Sequence, residues 1–152
     1  MEAHHSQEAL VWAIDDAHVP AYWFPRDLPR GTFWATAETT DADVDRFLGG
    51  DRGRRVHAIE PAYLDALRAG RLYAYRLPAE TFTLYDPIAG YYVSRVAVEP
   101  AEVHELTDLE GRHAQRGIEL RLTGDLWALW NEVIASSLAF SGIRLKLLAR
   151  RT

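Results

Sequence analysis

Between His18 and Arg30 the chain reads HVPAYWFPRDLPR, where two guanidinium forks, Arg26 and Arg30, bracket one carboxylate, Asp27. Arginines are suited to hold a phosphate or carboxylate through two-pronged hydrogen bonds. The same residues have a structural use, in which Asp27 pairs with one arginine and pins the loop. Pro20, Pro25 and Pro29 fix φ at three points and push Val19, Phe24 and Leu28 toward extended backbone, so this corner is expected to be stiff. Tyr22, Trp23 and Phe24 supply ring surface beside the charges. Together they describe a site for an anionic, ring-bearing molecule. They do not specify a reaction.

The segment GYYVS offers a second set. On a strand, Tyr92 and Ser94 share one face and Tyr91 and Val93 the other, so Tyr92 can line a cleft and stack or donate a hydrogen bond. A half-buried tyrosine with a satisfied hydroxyl is the plainer use. The ligand-binding candidates are therefore Tyr22, Arg26, Arg30, Tyr92 and Ser94. The histidines predict no metal site. His4 and His5 sit at the terminus and are expected to be flexible, His18 follows Asp15 and Asp16, and His104 and His113 fall across a helix break without an HExxH arrangement. No GxSxG elbow, glycine-rich phosphate loop or GxGxxG is present. Glu60, at a strand end, and Glu119, on a strand, are the acids an RNA-repair or toxin-like enzyme would use, although Glu60 beside Pro61 equally suits a helix cap.

A chain of 152 residues with 48% hydrophobic and 26% charged residues reads as one ordinary globular domain. Five Trp, seven Tyr and five Phe are a surplus of rings that can serve a core, a cleft or a homodimer contact. The absence of cysteine excludes disulfides, thiolate zinc sites and cysteine nucleophiles. No leader or membrane-length apolar run is visible, which predicts a cytoplasmic protein without a membrane partner. A net charge of −5 argues against coating of duplex nucleic acid. Arg52, Arg54 and Arg55 form the densest basic run and are expected to be solvated in a Gly-rich turn.

The elements that must position these residues follow from periodicity. Strands are predicted at Leu10–Ile14, Thr32–Thr36, Val56–Ile59, Leu72–Leu77, Thr81–Tyr85, Tyr91–Val98 and Ile118–Leu122. Leu72–Leu77 and Thr81–Tyr85 are expected to be neighbours joined by a turn at Pro78. Short helices are predicted over Ala17–Phe24, after Thr39, Thr40 and Asp41 to near Leu48, from Glu60 to Gly70, at Pro100 and from Asp108 toward Gly117. The longest helix is expected over Asp125–Ser141, with Leu126, Leu129, Trp130, Val133, Ile134 and Leu138 on its apolar face and Gly142 ending it. The interleaving lacks a βαβ rhythm and predicts a single α+β domain over residues 1–152, with a twisted or split, mostly antiparallel sheet and short flanking helices.

With VWAIDDAHVPAYWFPRDLPR, RLYAYRLPAETF, AGYYVSRVAVEP and RGIELR through LAFSGIR in place, the chain resembles a bacterial family of unknown function, marked by FPRDxPR and AGYYVS. Members of that family begin with an additional histidine-bearing strand of the type FHVSE, whereas this chain starts close to VWAID. More distantly, VPAYWFPRDLPR is similar to the stretch that frames the NAD pocket in DNA-modifying ADP-ribosyltransferases. That likeness implies an ADP-ribosyltransferase-like fold, a nucleotide or other anion as ligand, and NAD as the cofactor to test. Where those enzymes carry a catalytic glutamate, this chain reads Gly90-Tyr91-Tyr92, so the standard carboxylate is missing. The alternative is a non-catalytic interaction or structural domain, with the Arg-Pro corner as a brace.

Overall fold

The computed structural model describes residues 9–148, so His4 and His5 lie outside the described residues. In chain order the elements are β1 (Val11–Ile14), a 3-10 turn (Val19–Tyr22), β2 (Arg30–Trp34), α1 (Asp41–Leu48), β3 (Arg55–Ile59) and α2 (Leu64–Ala69). Then follow β4 (Leu72–Arg76), β5 (Phe82–Asp86), β6 (Tyr91–Ser94), β7 (Glu102–Leu106), α3 (Leu109–Gln115), β8 (Ile118–Leu122), α4 (Leu126–Ile134) and β9 (Ala139–Ile143). The fold is α+β with mostly antiparallel sheets, as the interleaving predicts. Two compact units emerge. Among the described residues, unit 1 joins 9–19 to Tyr73–His104, and unit 2 joins Pro20–Leu72 to 105–148.

Unit 2 is built on a four-stranded sheet in the order β8-β3-β2-β9. β2 runs antiparallel to both β3 and β9, while β3 and β8 are parallel. Phe33, Val56 and Ala58 from the sheet bury against Val44, Phe47 and Leu48 of α1 and Leu126, Trp130 and Val133 of α4. Removal of these side chains from water is the main favourable term for this unit. The helix ends are set locally. Thr40 accepts from the Asp43 N–H at 3.2 Å, and Gly49 closes α1 with φ of 63°. Asp125 caps α4 by accepting from the Ala128 N–H at 2.9 Å.

Helix α4 seats on the sheet through one feature. Gly31 and Gly142 face each other across β2 and β9, and the Trp130 indole lies over both. A Cβ at Gly31 would come within 2.8 Å of the indole, and one at Gly142 within 2.7 Å. Bare backbone at this pair is what admits the ring.

Unit 1 is a three-stranded antiparallel sheet in the order β1-β6-β5. A bulge lies between Leu84 and Asp86, and Gly90, with φ of 75°, turns the chain from β5 into β6. Among the hydrophobic residues described as buried, only Val93 belongs to this unit.

Three expectations are corrected. The helix does not run to Ser141: α4 stops at Ile134, because the Ser136 hydroxyl donates to the Val133 carbonyl and the Ser137 N–H donates to Asp43 Oδ2. Leu138 is still buried, but it leads into β9, whose Gly142 lies inside a strand. Leu72–Leu77 and Thr81–Tyr85 are not paired; β4 pairs with β7 and β5 with β6. Pro100 opens no helix, since Glu102–Leu106 forms β7 instead. Opposite charges between β4 and β7, such as Arg76 with Glu102 at 3.7 Å, favour that pairing.

Gly31→Ala tests the slot. The added methyl meets the indole, so urea unfolding should show a loss of about 1–3 kcal/mol. An unchanged midpoint would mean that α4 docks some other way.

Candidate functional site

The proline corner takes its shape from hydrogen bonds that the prolines leave available. The Trp23 N–H donates to the Pro20 carbonyl at 3.1 Å and the Leu28 N–H to the Pro25 carbonyl at 3.0 Å, giving two successive turns. Arg30 opens β2, and its side chain turns back into the corner. Its Nε donates to the Ala21 carbonyl at 3.1 Å and its Nη1 to the Leu28 carbonyl at 3.0 Å. The guanidinium lies 5.1 Å from the centre of the Phe24 ring and 5.5 Å from that of Tyr22. Arg30 is 2% exposed. Nε and Nη1 both bond the backbone of its own loop, so Arg30 braces the corner, the structural use weighed beside the ligand fork.

The other candidates separate. Arg26 and Tyr22 are exposed on the same corner. Asp27 faces Arg144 at 3.8 Å rather than either corner arginine, and both are water-exposed, which makes a weak pair. Tyr92 and Ser94 belong to unit 1, where the register puts them on one face as the alternation predicts. Tyr92 is half-buried. Ser94 is fully buried and its hydroxyl is shared with the Thr81 hydroxyl at 2.8 Å and the Val96 carbonyl at 3.0 Å, a structural arrangement.

Both acids weighed from sequence are engaged within unit 2. Glu60 accepts from the Leu126 N–H at 3.1 Å, so it serves the start of α4 and not the turn that follows it in sequence. Glu119 accepts from Arg121 Nε at 2.5 Å and lies 3.6 Å from Arg54. The basic run is not simply solvated. Arg52 donates to the Thr39 carbonyl at 2.9 Å and to Asp41 at 2.6 Å, while Arg55 stacks over Trp34 at 4.3 Å. Among the described residues, no cluster of three metal-binding side chains occurs.

Sequence reasoning gave no role to a buried histidine pair beneath the corner. His57 on β3 and His113 on α3 place Nδ1 and Nε2 2.9 Å apart, with Phe24 packed against both rings. His113 Nδ1 lies 2.7 Å from the Leu109 carbonyl, which can only accept, so that nitrogen carries the proton. Its Nε2 therefore accepts from His57 Nδ1. His57 Nε2 in turn accepts from Arg55 Nε at 3.3 Å. The chain of bonds runs one way and requires both rings to be neutral. Burial first, then the repulsion that a protonated His113 and the Arg55 and Arg30 guanidiniums would exert on a charged ring, hold His57 well below the usual imidazole range. Burial also lowers His113, against the opposing bond to Leu109. The apolar flanks of His57 in RVHAI were the only sequence signal for its burial.

The surface feature left over is aromatic and lies on unit 1. Trp12 is 52% exposed and Tyr85 61% exposed. Their ring centroids are 4.7 Å apart at 76°, and Tyr91 meets Trp12 at 6.3 Å and 87°. Edge-to-face packing fixes the rings against one another while their outer faces stay in water. The alternation of β1 did not mark Trp12 as exposed, because a short apolar run reads as buried.

The neutral histidines make stability depend on pH. Unfolding returns both to the ordinary value of 6.5, so below that pH the unfolded chain binds more protons. Stability should be constant above pH 7 and fall on acidification through 6.5, with a slope of up to about 1.4 kcal/mol per pH unit for each proton taken up. Urea titrations from pH 7.5 to 5 measure this. His57→Phe/His113→Leu should flatten the slope, and an unaltered slope would contradict the assignment.

No curated protein and no solved structure matches the chain, and among the described residues no helix is long and apolar enough to cross a membrane. A family model covers residues 1–147. The chain belongs to that family, a family of unknown function (DUF6886).

Proposed function

We propose that this chain is a protein-interaction domain whose recognition face is the aromatic side of the β1-β6-β5 sheet. The observation that carries the reading is the exposed, mutually packed pair of Trp12 and Tyr85. Exposed clusters of large rings are uncommon on monomeric surfaces and mark contact sites. Rings are also the residues that dominate binding energy at such sites. Ile88, at 59% exposure, adds exposed apolar surface to the same unit. A photo-crosslinking amino acid at position 85 tests this in cells. A discrete adduct that disappears when Trp12→Ala is added is expected; a smear, or an adduct indifferent to Trp12, would overturn the reading. A doubled-mass adduct would make the partner a second copy.

A second reading, capture of a nucleotide or other anion, rests on Arg26 and Tyr22, which stand exposed together on a stiff corner. The distant likeness to ADP-ribosyltransferases would make NAD or ADP-ribose the ligand, and the missing glutamate makes this binding without the standard transfer chemistry. With Arg30 committed internally, one guanidinium has to carry the contact. Thermal shift with NAD, ADP-ribose and mononucleotides should then raise the Tm of the wild type and not of Arg26→Ala. No shift with any of them would remove this reading.

A further inference from the structure

Rings in water can receive an apolar side chain or a cation, and the two units differ in a way that separates these. In unit 2 the chain's own arginines repeatedly cover ring faces, as in Arg55 over Trp34 at 4.3 Å and Arg116 over Trp23 at 5.5 Å. Among the described residues, no arginine of the chain covers Trp12 or Tyr85. The described part of unit 1 is also acidic. It carries Asp15, Asp16, Glu80, Asp86, Glu99 and Glu102 against Arg76 and Arg95. Two of these carboxylates are held at the edge of the aromatic face. Asp86 directly follows Tyr85, lies in register with Tyr91, and is fixed by accepting from the N–H groups of Ile88 at 2.9 Å and Ala89 at 3.1 Å. Asp15 follows Ile14, whose register partner is again Tyr91, and is oriented by His18 at 2.6 Å.

A ring face is the negative end of the aromatic quadrupole, and nearby carboxylates deepen that potential. An apolar partner would gain nothing from it. We infer that the aromatic face of unit 1 receives an arginine- or lysine-bearing segment of a partner protein, with the cation seated on the open faces of Trp12 and Tyr85. The inference rests on the interaction reading above and names the chemistry of its partner.

Fluorescence anisotropy of a labelled nona-arginine peptide, titrated with the full chain at low and at moderate salt, tests it. The wild type should bind saturably, and Trp12→Ala should weaken binding about fivefold, the scale of one cation–π contact. Trp12→Phe keeps a ring and should retain most of the affinity. Tyr85→Ala should weaken binding, whereas Trp127→Ala, an exposed ring of unit 2, should not. The variants keep the net charge, so equal binding by wild type, Trp12→Ala and Tyr85→Ala would reduce the effect to bulk charge and overturn the inference. Failure of the wild type to bind would do the same. If the crosslink at position 85 survives while nona-arginine neither binds nor competes with it, the contact face stands and its cationic partner falls. Absence of both removes the two together.

Discussion

A guanidinium taken out of water has to find acceptors, and Arg30 finds them in the carbonyls of Ala21 and Leu28. That closure explains why three prolines and three rings sit in one short segment. The prolines hold the backbone where two carbonyls converge, and Phe24 lies against the guanidinium and against both histidine rings. Arg30 also starts β2, the strand paired with both β3 and β9. The next residue, Gly31, forms half of the slot under Trp130. One buried charge thus ties the corner, the sheet and the seating of α4 into a single arrangement.

The two units answer the same composition differently. Unit 2 engages many of its charges and rings internally, through Arg30, the neutral His57–His113 pair, Glu60 at the start of α4 and arginines laid over aromatic faces. Among the described residues, no buried side-chain nitrogen or oxygen lacks a hydrogen-bond partner. A three-stranded sheet with little buried apolar surface, such as that of unit 1, is stabilised when something covers its face. Its rings remain in water, and its acids outnumber its arginines. That contrast is what favours unit 1 for the proposed recognition face.

The sequence made the local rules plain. Thr40, Gly49, Asp108 and Asp125 mark helix ends that the structure places within a residue or two, because caps act over one turn of chain. What it hid depended on distant partners. The serines after Ile134 end α4 only because Asp43, far away in sequence, reaches Ser137. The pairing of β4 with β7 skips the obvious hairpin, since alternation alone does not choose a partner. Arg30 and Arg26 look equivalent in PRDLPR, and burial distinguishes them only after the corner folds. His57 and His113 are 56 residues apart and meet because β3 and α3 are brought together.

Hydroxyl-radical footprinting of the protein inside cells, compared with the purified chain, bears most directly on where recognition occurs. Trp12 and Tyr85 should oxidise readily in the purified protein and become protected in cells, while Trp127, 43% exposed on unit 2, oxidises alike in both. Equal oxidation of Trp12 and Tyr85 in the two settings would contradict the account.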